Sequence, residues 1–181
     1  MKTNPSFSAL NSCLRAATFS VAAFFAVTSG TVLAGEVVVN YDYAQNHGVD
    51  FSTTKGALKL GEFRDARDVN DPHLLTANDG GYSSKQALPA IVKDALIQAF
   101  EDGGASLVTS DEQLLLSGEV RELTVAEKDS GIEATLRVNV VLEKAGQTLW
   151  QNVLFGKASV ADYENLDQAI RGSLDQLIEN L

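Results

Sequence analysis

The sequence predicts an α+β domain of two layers, in which a mostly antiparallel sheet carries two amphipathic helices on one face. Two segments place apolar residues at helical spacing, whereas several others alternate apolar and polar residues with the period of a strand. Three of the alternating segments follow one another through short turns, which is typical of an antiparallel meander. The predicted order of elements is β-β-α-β-β-β-α.

The first segment of the chain has the pattern of a secretory signal peptide. Lys2 and Arg15 precede a short apolar run (16–27), and small residues then lead to Ala34. The run is shorter than the ~20 apolar residues that a membrane-spanning helix needs. We therefore expect residues 1–34 to be removed and the rest to reach the periplasm or the exterior without a membrane-spanning segment.

The charge balance and the single cysteine restrict what the exported domain does. The whole chain has a formal net charge of −10, and the predicted leader holds two of its positive charges. An acidic domain is a poor partner for nucleic acid or for anionic membranes, since both are negative. Cys13 lies in the leader, so the single domain predicted over residues 35–181 has no disulfide and depends on its own core.

Two strands and a long loop are predicted in the first part of the domain. Residues 37–43, VVVNYDY, are β-branched and aromatic, and residues 57–63 alternate apolar and polar side chains. Tyr41 and Tyr43 share one face of the first strand and are exposed if that strand lies at an edge, where another chain can add as a strand. The following residues, 64–85, form a long loop without periodicity, a kind that is functional or mobile.

Both helices are predicted from continuous apolar stripes. The first begins near Pro89, which suits an early helical position, and ends at Gly103. The stripe of the second helix runs to the last residue of the chain. Acidic residues lie just before this helix and in its first turn, where the helix dipole favours negative charge. The stripes consist of Leu88, Ile91, Val92, Ala95, Leu96, Ala99 and Phe100, and of Leu166, Ala169, Ile170, Ser173, Leu174, Leu177, Ile178 and Leu181.

The meander lies between the two helices. Its first strand changes phase after Val120, which predicts a β-bulge near Arg121. A tight turn at residues 129–131 leads to the most regular alternation in the chain, whose outward face is polar. A second turn leads to a strand that places Trp150 on the same face as Leu154.

The long loop contains the residues that most resemble a chemical site. Asp65, Asp68 and Asp71 recur at every third position, and Ca²⁺ binds such oxygens in flexible loops. Their spacing differs from the EF-hand pattern, and aspartates also cap turns, so we predict no metal site and no cofactor. The two histidines, His47 and His73, lie in polar loops without a second ligand at metal spacing, and we predict no catalytic residue.

The domain resembles the YajG-like family of envelope lipoproteins. The resemblance is carried by LKLGEFRDAR (58–67), the glycine- and asparagine-rich loop, LPAIVKDALIQAFEDGGASL (88–107), the meander and the closing helix. The arrangement is also similar to the auxiliary lipoproteins of ABC-type transport systems. It implies a periplasm-facing α+β domain without a known enzymatic activity. Members of the family carry an acylated cysteine where this chain has Glu36, so the resemblance does not imply a lipid anchor here.

The sequence therefore predicts a non-enzymatic envelope protein that binds or assists a protein or lipid-linked partner. The candidate interaction residues are Tyr41, Tyr43, Asp65 and Arg67. An alternative is a carrier of a small ligand or lipid in an apolar groove between helices and sheet. Such a groove would be lined by Leu88, Ile91, Trp150 and Ile170. A hydrolase that uses the Asp/His loop is a third hypothesis, and the oligomeric state is not determined by the sequence.

Overall fold

The computed structural model describes residues 35–42, 49–76, 81–161 and 165–181. The predicted leader, Tyr43 and His47 lie outside these residues. Six elements follow one another: β1 (Leu58–Asp65), α1 (Leu88–Asp102), β2 (Leu114–Lys128), β3 (Gly131–Lys144), β4 (Gln147–Val160) and α2 (Leu166–Glu179).

The four strands form one mixed sheet in the order β1-β2-β3-β4. β1 is parallel to β2, and β2, β3 and β4 form the predicted antiparallel meander. The register of β2 against β3 shifts between Val120 and Glu122, which confirms the predicted bulge. A second register shift lies in β1, between Leu60 and Phe63. The prediction of an α+β fold with a mostly antiparallel sheet is confirmed.

Both helices cover one face of this sheet, as the apolar stripes predict. α1 packs on β1 and β2, whereas α2 packs on β3 and β4. The alternate residues of β3 from Ile132 to Val140 are buried against the helices, and Arg137 and its neighbours face outward. No helix among the described residues is long and apolar enough to cross a bilayer.

One strand and one helix approach each other unusually closely. A Cβ atom added to Gly156 of β4 would lie 1.7 Å from the backbone oxygen of Ser173 and 2.8 Å from the backbone nitrogen of Leu177. Glycine therefore lets the backbone of α2 lie directly on β4. The first helix ends as predicted, at the Gly103-Gly104 pair, with Gly104 at a φ of +82°.

The predicted first strand does not join the sheet. Residues 37–42 have no regular secondary structure, and the residue before them, Glu36, makes a parallel bridge with Ser83. Val37, Val39 and Tyr41 pack against the core, and Gln98 of α1 donates to the backbone oxygen of Tyr41 at 3.3 Å. Alternation of apolar and polar residues indicates that one side of a segment is buried, but it does not indicate which element covers that side.

Candidate interaction groove

A groove runs along the outer edge of β1, between this strand and α1. The half of the groove near the start of β1 has a volume of about 640 Å³. The half near the end of β1 has a volume of about 620 Å³, and Lys93 lines both halves. We call this feature the β1–α1 groove. Its walls include Lys59, Leu60, Phe63 and Asp65 from β1, Pro89, Ala90, Lys93, Ile97 and Glu101 from α1, and Leu107, Val108 and Thr109 from the segment after α1.

The strand wall of the groove presents backbone groups. The N–H of Leu58 donates to the oxygen of Ser106, and the N–H of Val108 donates to the oxygen of Leu58, each at 2.9 Å. These bonds point away from β2. Backbone groups of successive residues in a strand alternate in direction, so those of Leu60 point the same way. The segment after α1 therefore already pairs with this edge at Leu58, the first residue of β1, and then turns away from the strand.

The helix wall presents a stripe of side chains one turn apart. Pro89, Lys93, Ile97 and Glu101 follow one another at intervals of four residues, which places them on one face of α1. Ile97 is half-buried and lies beside the fully buried stripe of the helix. Ile97 is apolar and lies outside the predicted stripe, which is the sequence feature from which this wall could have been inferred. The position of β1 beside it was not readable from the helix alone.

Asp65 and Arg67, two of the predicted interaction residues, form an ion pair at the far end of the groove. Nη2 of Arg67 lies 2.6 Å from Oδ2 of Asp65, and Nε of Arg67 lies 2.9 Å from Oδ1. The side chains of Arg67 and Asp65 are only 7% and 12% exposed, respectively. The backbone N–H of Arg67 also donates to Asp65 at 3.1 Å. This pair fixes the turn that follows β1, and it borders the groove through Asp65.

Tyr41 is not exposed at a sheet edge. Its hydroxyl donates to Oδ1 of Asp175 in α2 at 2.7 Å, and its ring packs against the core. The residue instead fastens the segment before it to the helix layer. Its predicted companion, Tyr43, lies outside the described residues.

Asp71 and His73 of the long loop form hydrogen bonds with the backbone in the structure. A carboxylate oxygen of Asp71 accepts from the N–H of His73 at 2.9 Å, and Nδ1 of His73 lies 3.0 Å from the oxygen of Ser84. The carbonyl partner makes Nδ1 the protonated nitrogen of the imidazole. In the described part of the chain, no three His, Cys, Asp or Glu side chains gather at a distance that suits a metal ion.

A charged cluster lies on the open face of the sheet, away from both helices. Glu119 of β2 is bonded to Arg64 and to Arg121. The hydrogen bond from Arg64, helped by the charge of Arg121, holds the pKa of the Glu119 carboxyl below its ordinary value. With its amide oxygen turned toward Arg121, Asn139 accepts a hydrogen bond from Nε of Arg121 at 2.8 Å. The Glu119 carboxylate lies between two guanidinium groups, one from β1 and one from β2, so the cluster links the two strands through ion pairs.

The third surface feature is an apolar cleft where the C-terminal ends of both helices meet the sheet. It has a volume of about 290 Å³. Leu88, Ile91 and Ile170, which were predicted to line a ligand groove, are instead almost completely buried in the packed core. Trp150 alone of that predicted set lines the cleft. The remaining lining residues are Phe51, Thr54, Leu58, Phe100, Leu116, Leu142 and Leu181.

Comparison with known proteins gives the fold a precedent. No protein-family model and no curated protein matches the chain. Protein XCC0632 from Xanthomonas campestris, of family model DUF330, superposes with a TM-score of 0.62 and 17% identity, over 81% of this chain and 91% of that chain. Weaker similarity is found to a PelC dodecamer from Paraburkholderia phytofirmans, with a TM-score of 0.44, 14% identity and coverage of 68% and 86%.

A further solved structure with weak similarity is the lipoprotein GNA1162 from Neisseria meningitidis. Its TM-score is 0.30 at 11% identity, over 65% of this chain and 92% of that chain. The solved structures that resemble this chain thus include a DUF330 protein and a bacterial lipoprotein. The similarity to the Xanthomonas protein shows a shared fold, and membership of the YajG-like family stays a prediction.

Proposed function

We propose that this chain is an exported, non-enzymatic module of the bacterial cell envelope that binds a partner protein along the β1–α1 groove. The groove carries the proposal because one wall holds outward backbone groups of β1 without a hydrogen-bond partner among the described residues, and the other wall holds apolar and charged side chains. Surfaces that combine a sheet edge with a helix face are a recurrent way to bind extended polypeptides.

The proposal includes export without a lipid anchor. The leader pattern supports export, and Glu36 stands where YajG-like lipoproteins carry their acylated cysteine. Glu36 already belongs to the folded part, since it bridges Ser83 and lies 3.3 Å from Nζ of Lys85. Cleavage after Ala34 would therefore release a domain that is ordered almost from its first residue.

Mass spectrometry of the N-terminus after cell fractionation tests the export part. An unmodified chain that begins at Gly35 in the periplasmic fraction is the expected result. A membrane-bound chain that still carries Met1 would overturn it.

Site-specific photo-crosslinking in cells tests the binding part. A benzoylphenylalanine at Lys93 stands in the middle of the groove, and the same residue at Lys144, an exposed position in the β3–β4 hairpin, is the matched control. The expected result is a cross-linked partner protein from position 93 only. Absence of a cross-link at position 93, or equal cross-linking at both positions, would reject the proposal that an envelope partner protein binds in this groove.

A carrier of a short aliphatic chain is the second candidate function, and the apolar cleft beside Trp150 is the observation that favours it. Its volume of about 290 Å³ lies just below the ~300–1,000 Å³ of common small-molecule sites. Trp150 is the single tryptophan of the chain, so its fluorescence reports directly on the cleft. A saturable change in that fluorescence with decanoate, absent in a Leu142→Phe variant that narrows the cleft, would support the carrier; no change would reject it.

A further inference from the structure

The sheet has two outer edges, and side chains cap part of the outer edge of β4. The N–H of Lys157 donates to Oε1 of Gln176 at 2.6 Å, and the oxygen of Phe155 accepts from Nδ2 of Asn180 at 2.9 Å. The N–H of Val153 donates to the side chain of Asn152 at 2.9 Å. Three backbone groups on this edge therefore already have side-chain partners, which limits the pairing of this part of the edge with other chains.

The outer edge of β1 has no such caps among the described residues. The N–H of Ala66 donates to Val120 of β2 at 2.9 Å, so strand alternation directs the backbone groups of Asp65 and Phe63 outward. The backbone groups of Leu60 also point outward. The outward residues are even-numbered up to Leu60 and odd-numbered from Phe63, because the register of β1 against β2 shifts between these two residues. Within the described part of the chain, no hydrogen bond from another segment reaches these outward backbone groups. From Leu60 to Asp65 the open edge extends for about 17 Å.

We infer that the β1–α1 groove binds an extended peptide segment of the partner protein as an additional strand beside β1. The inference rests on the proposed function and specifies how the partner binds. The segment 106–108 shows the geometry, because it pairs with Leu58 as a parallel bridge at the same edge. The incoming strand continues where that segment leaves, beside Leu60, and extends toward Asp65.

The walls of the groove define the side chains of the incoming strand. Its alternate residues face α1, where Pro89, Ala90 and Ile97 favour small or aliphatic side chains. Lys93 lies between them at the junction of the two halves of the groove. Lys59, Arg64 and Arg67 each lie within salt-bridge distance of a carboxylate, whereas no described carboxylate lies that close to Lys93. An acidic residue in the middle of the peptide complements this charge.

A random octapeptide display library, selected on the purified protein, provides the probe. The tightest peptide is resynthesised with each backbone amide methylated in turn. Methylation at alternate positions is expected to weaken binding about fivefold to tenfold, since each removes one backbone hydrogen bond, and methylation at the other positions has little effect. Amide exchange of Leu60 and Phe63 is expected to slow on peptide binding.

Two variants test the location and the charge. Ala90→Trp fills the groove and is expected to abolish binding, with an unchanged circular dichroism spectrum as the control for folding. Lys93→Glu is expected to weaken the binding of an acidic peptide about tenfold, whereas Lys144→Glu, the same charge change at an exposed residue that does not line the groove, is expected to leave its affinity unchanged.

The outcomes separate this inference from the proposed function. Failure to select a peptide, equal sensitivity at all methylated positions, or protection of the Val153 amide at the β4 edge overturns strand addition. A partner that still cross-links at position 93 would then leave the proposed function standing with another binding mode. Absence of that cross-link, with a methylation-sensitive peptide in hand, would reject the envelope partner and keep the groove as a peptide site.

Discussion

Replacement of Gly156 by alanine is expected to be severely destabilising, because it forces α2 away from the sheet. The new Cβ would lie 1.7 Å from the oxygen of Ser173, whereas real Cβ contacts are almost never shorter than 3.0 Å. Both clashing groups belong to regular elements, so neither yields by a side-chain rotation. The helix must therefore move by roughly 1 Å or more, and close-packed interiors do not absorb such a shift.

The cost follows from what the displaced helix buries. Seven residues of α2, among them Ile170, Leu174 and Leu177, are buried against the sheet and α1. A gap of ~0.5–1 Å forfeits about a quarter to a half of the dispersion attraction across it. We expect a loss of about 3–5 kcal/mol in the free energy of unfolding, above the ~1–3 kcal/mol of ordinary overpacking.

Urea denaturation followed by circular dichroism measures this loss. Gly146→Ala is the matched control: nothing lies within 4 Å of its added Cβ, and only a φ of +74° opposes the substitution. It is expected to cost about 1 kcal/mol. Gly118→Ala is expected to be intermediate, because its Cβ meets the side chain of Phe63 and its nearest backbone contact, the oxygen of Asn139, is at 3.2 Å. A loss at Gly156 no greater than at Gly146 would show that the backbone of α2 does not lie directly on β4.

Three further predictions concern the side chains that hold the domain together. Tyr41→Phe removes the hydrogen bond to Asp175 and is expected to lower the free energy of unfolding by about 1 kcal/mol, which urea denaturation measures; an unchanged midpoint would mean that the N-terminal segment is not fastened there. Asp65→Ala leaves the buried Arg67 guanidinium without its carboxylate and is expected to lower the free energy of unfolding by about 3 kcal/mol in the same assay. Asp65→Asn is expected to cost less, and equal losses in the two variants would contradict a charge effect. The pKa of Glu119 is lowered in the folded protein, so its contribution is complete above its unfolded-state pKa and is lost as the pH falls through the folded-state value. Glu119→Gln is expected to remove that part of the acid dependence of the melting temperature, and identical acid profiles would disprove it.

The sequence predicted the elements whose pattern depends on burial alone. The stripes of both helices, the alternation of the meander and the phase change at Arg121 each record which side of a segment meets the core. The same logic failed for residues 37–42, since their alternation arises from packing across the helices, next to Gln98 and Asp175, and not from a sheet.

The candidate groove was only partly predictable. Asp65 was identified from the sequence and does border the groove, but Lys93, Ala90 and Ile97 were not, because their importance depends on an edge of β1 that faces them. Strand order is a long-range property: β1 became an edge because β2 pairs with it in parallel on one side and, among the described residues, only the segment 106–108 reaches the other.

The sequence by itself determined the α+β class of this domain, and it predicts a leader segment before the domain. Those properties follow from local composition and from periodicities of 3.6 and 2 residues, which neighbouring side chains report directly. Only the tertiary structure decided which strand edge is capped by Gln176 and Asn180, which edge is open, and which helix stands beside the open one. Hydrogen bonds and packing between residues far apart in the chain set those features, and no local pattern records them.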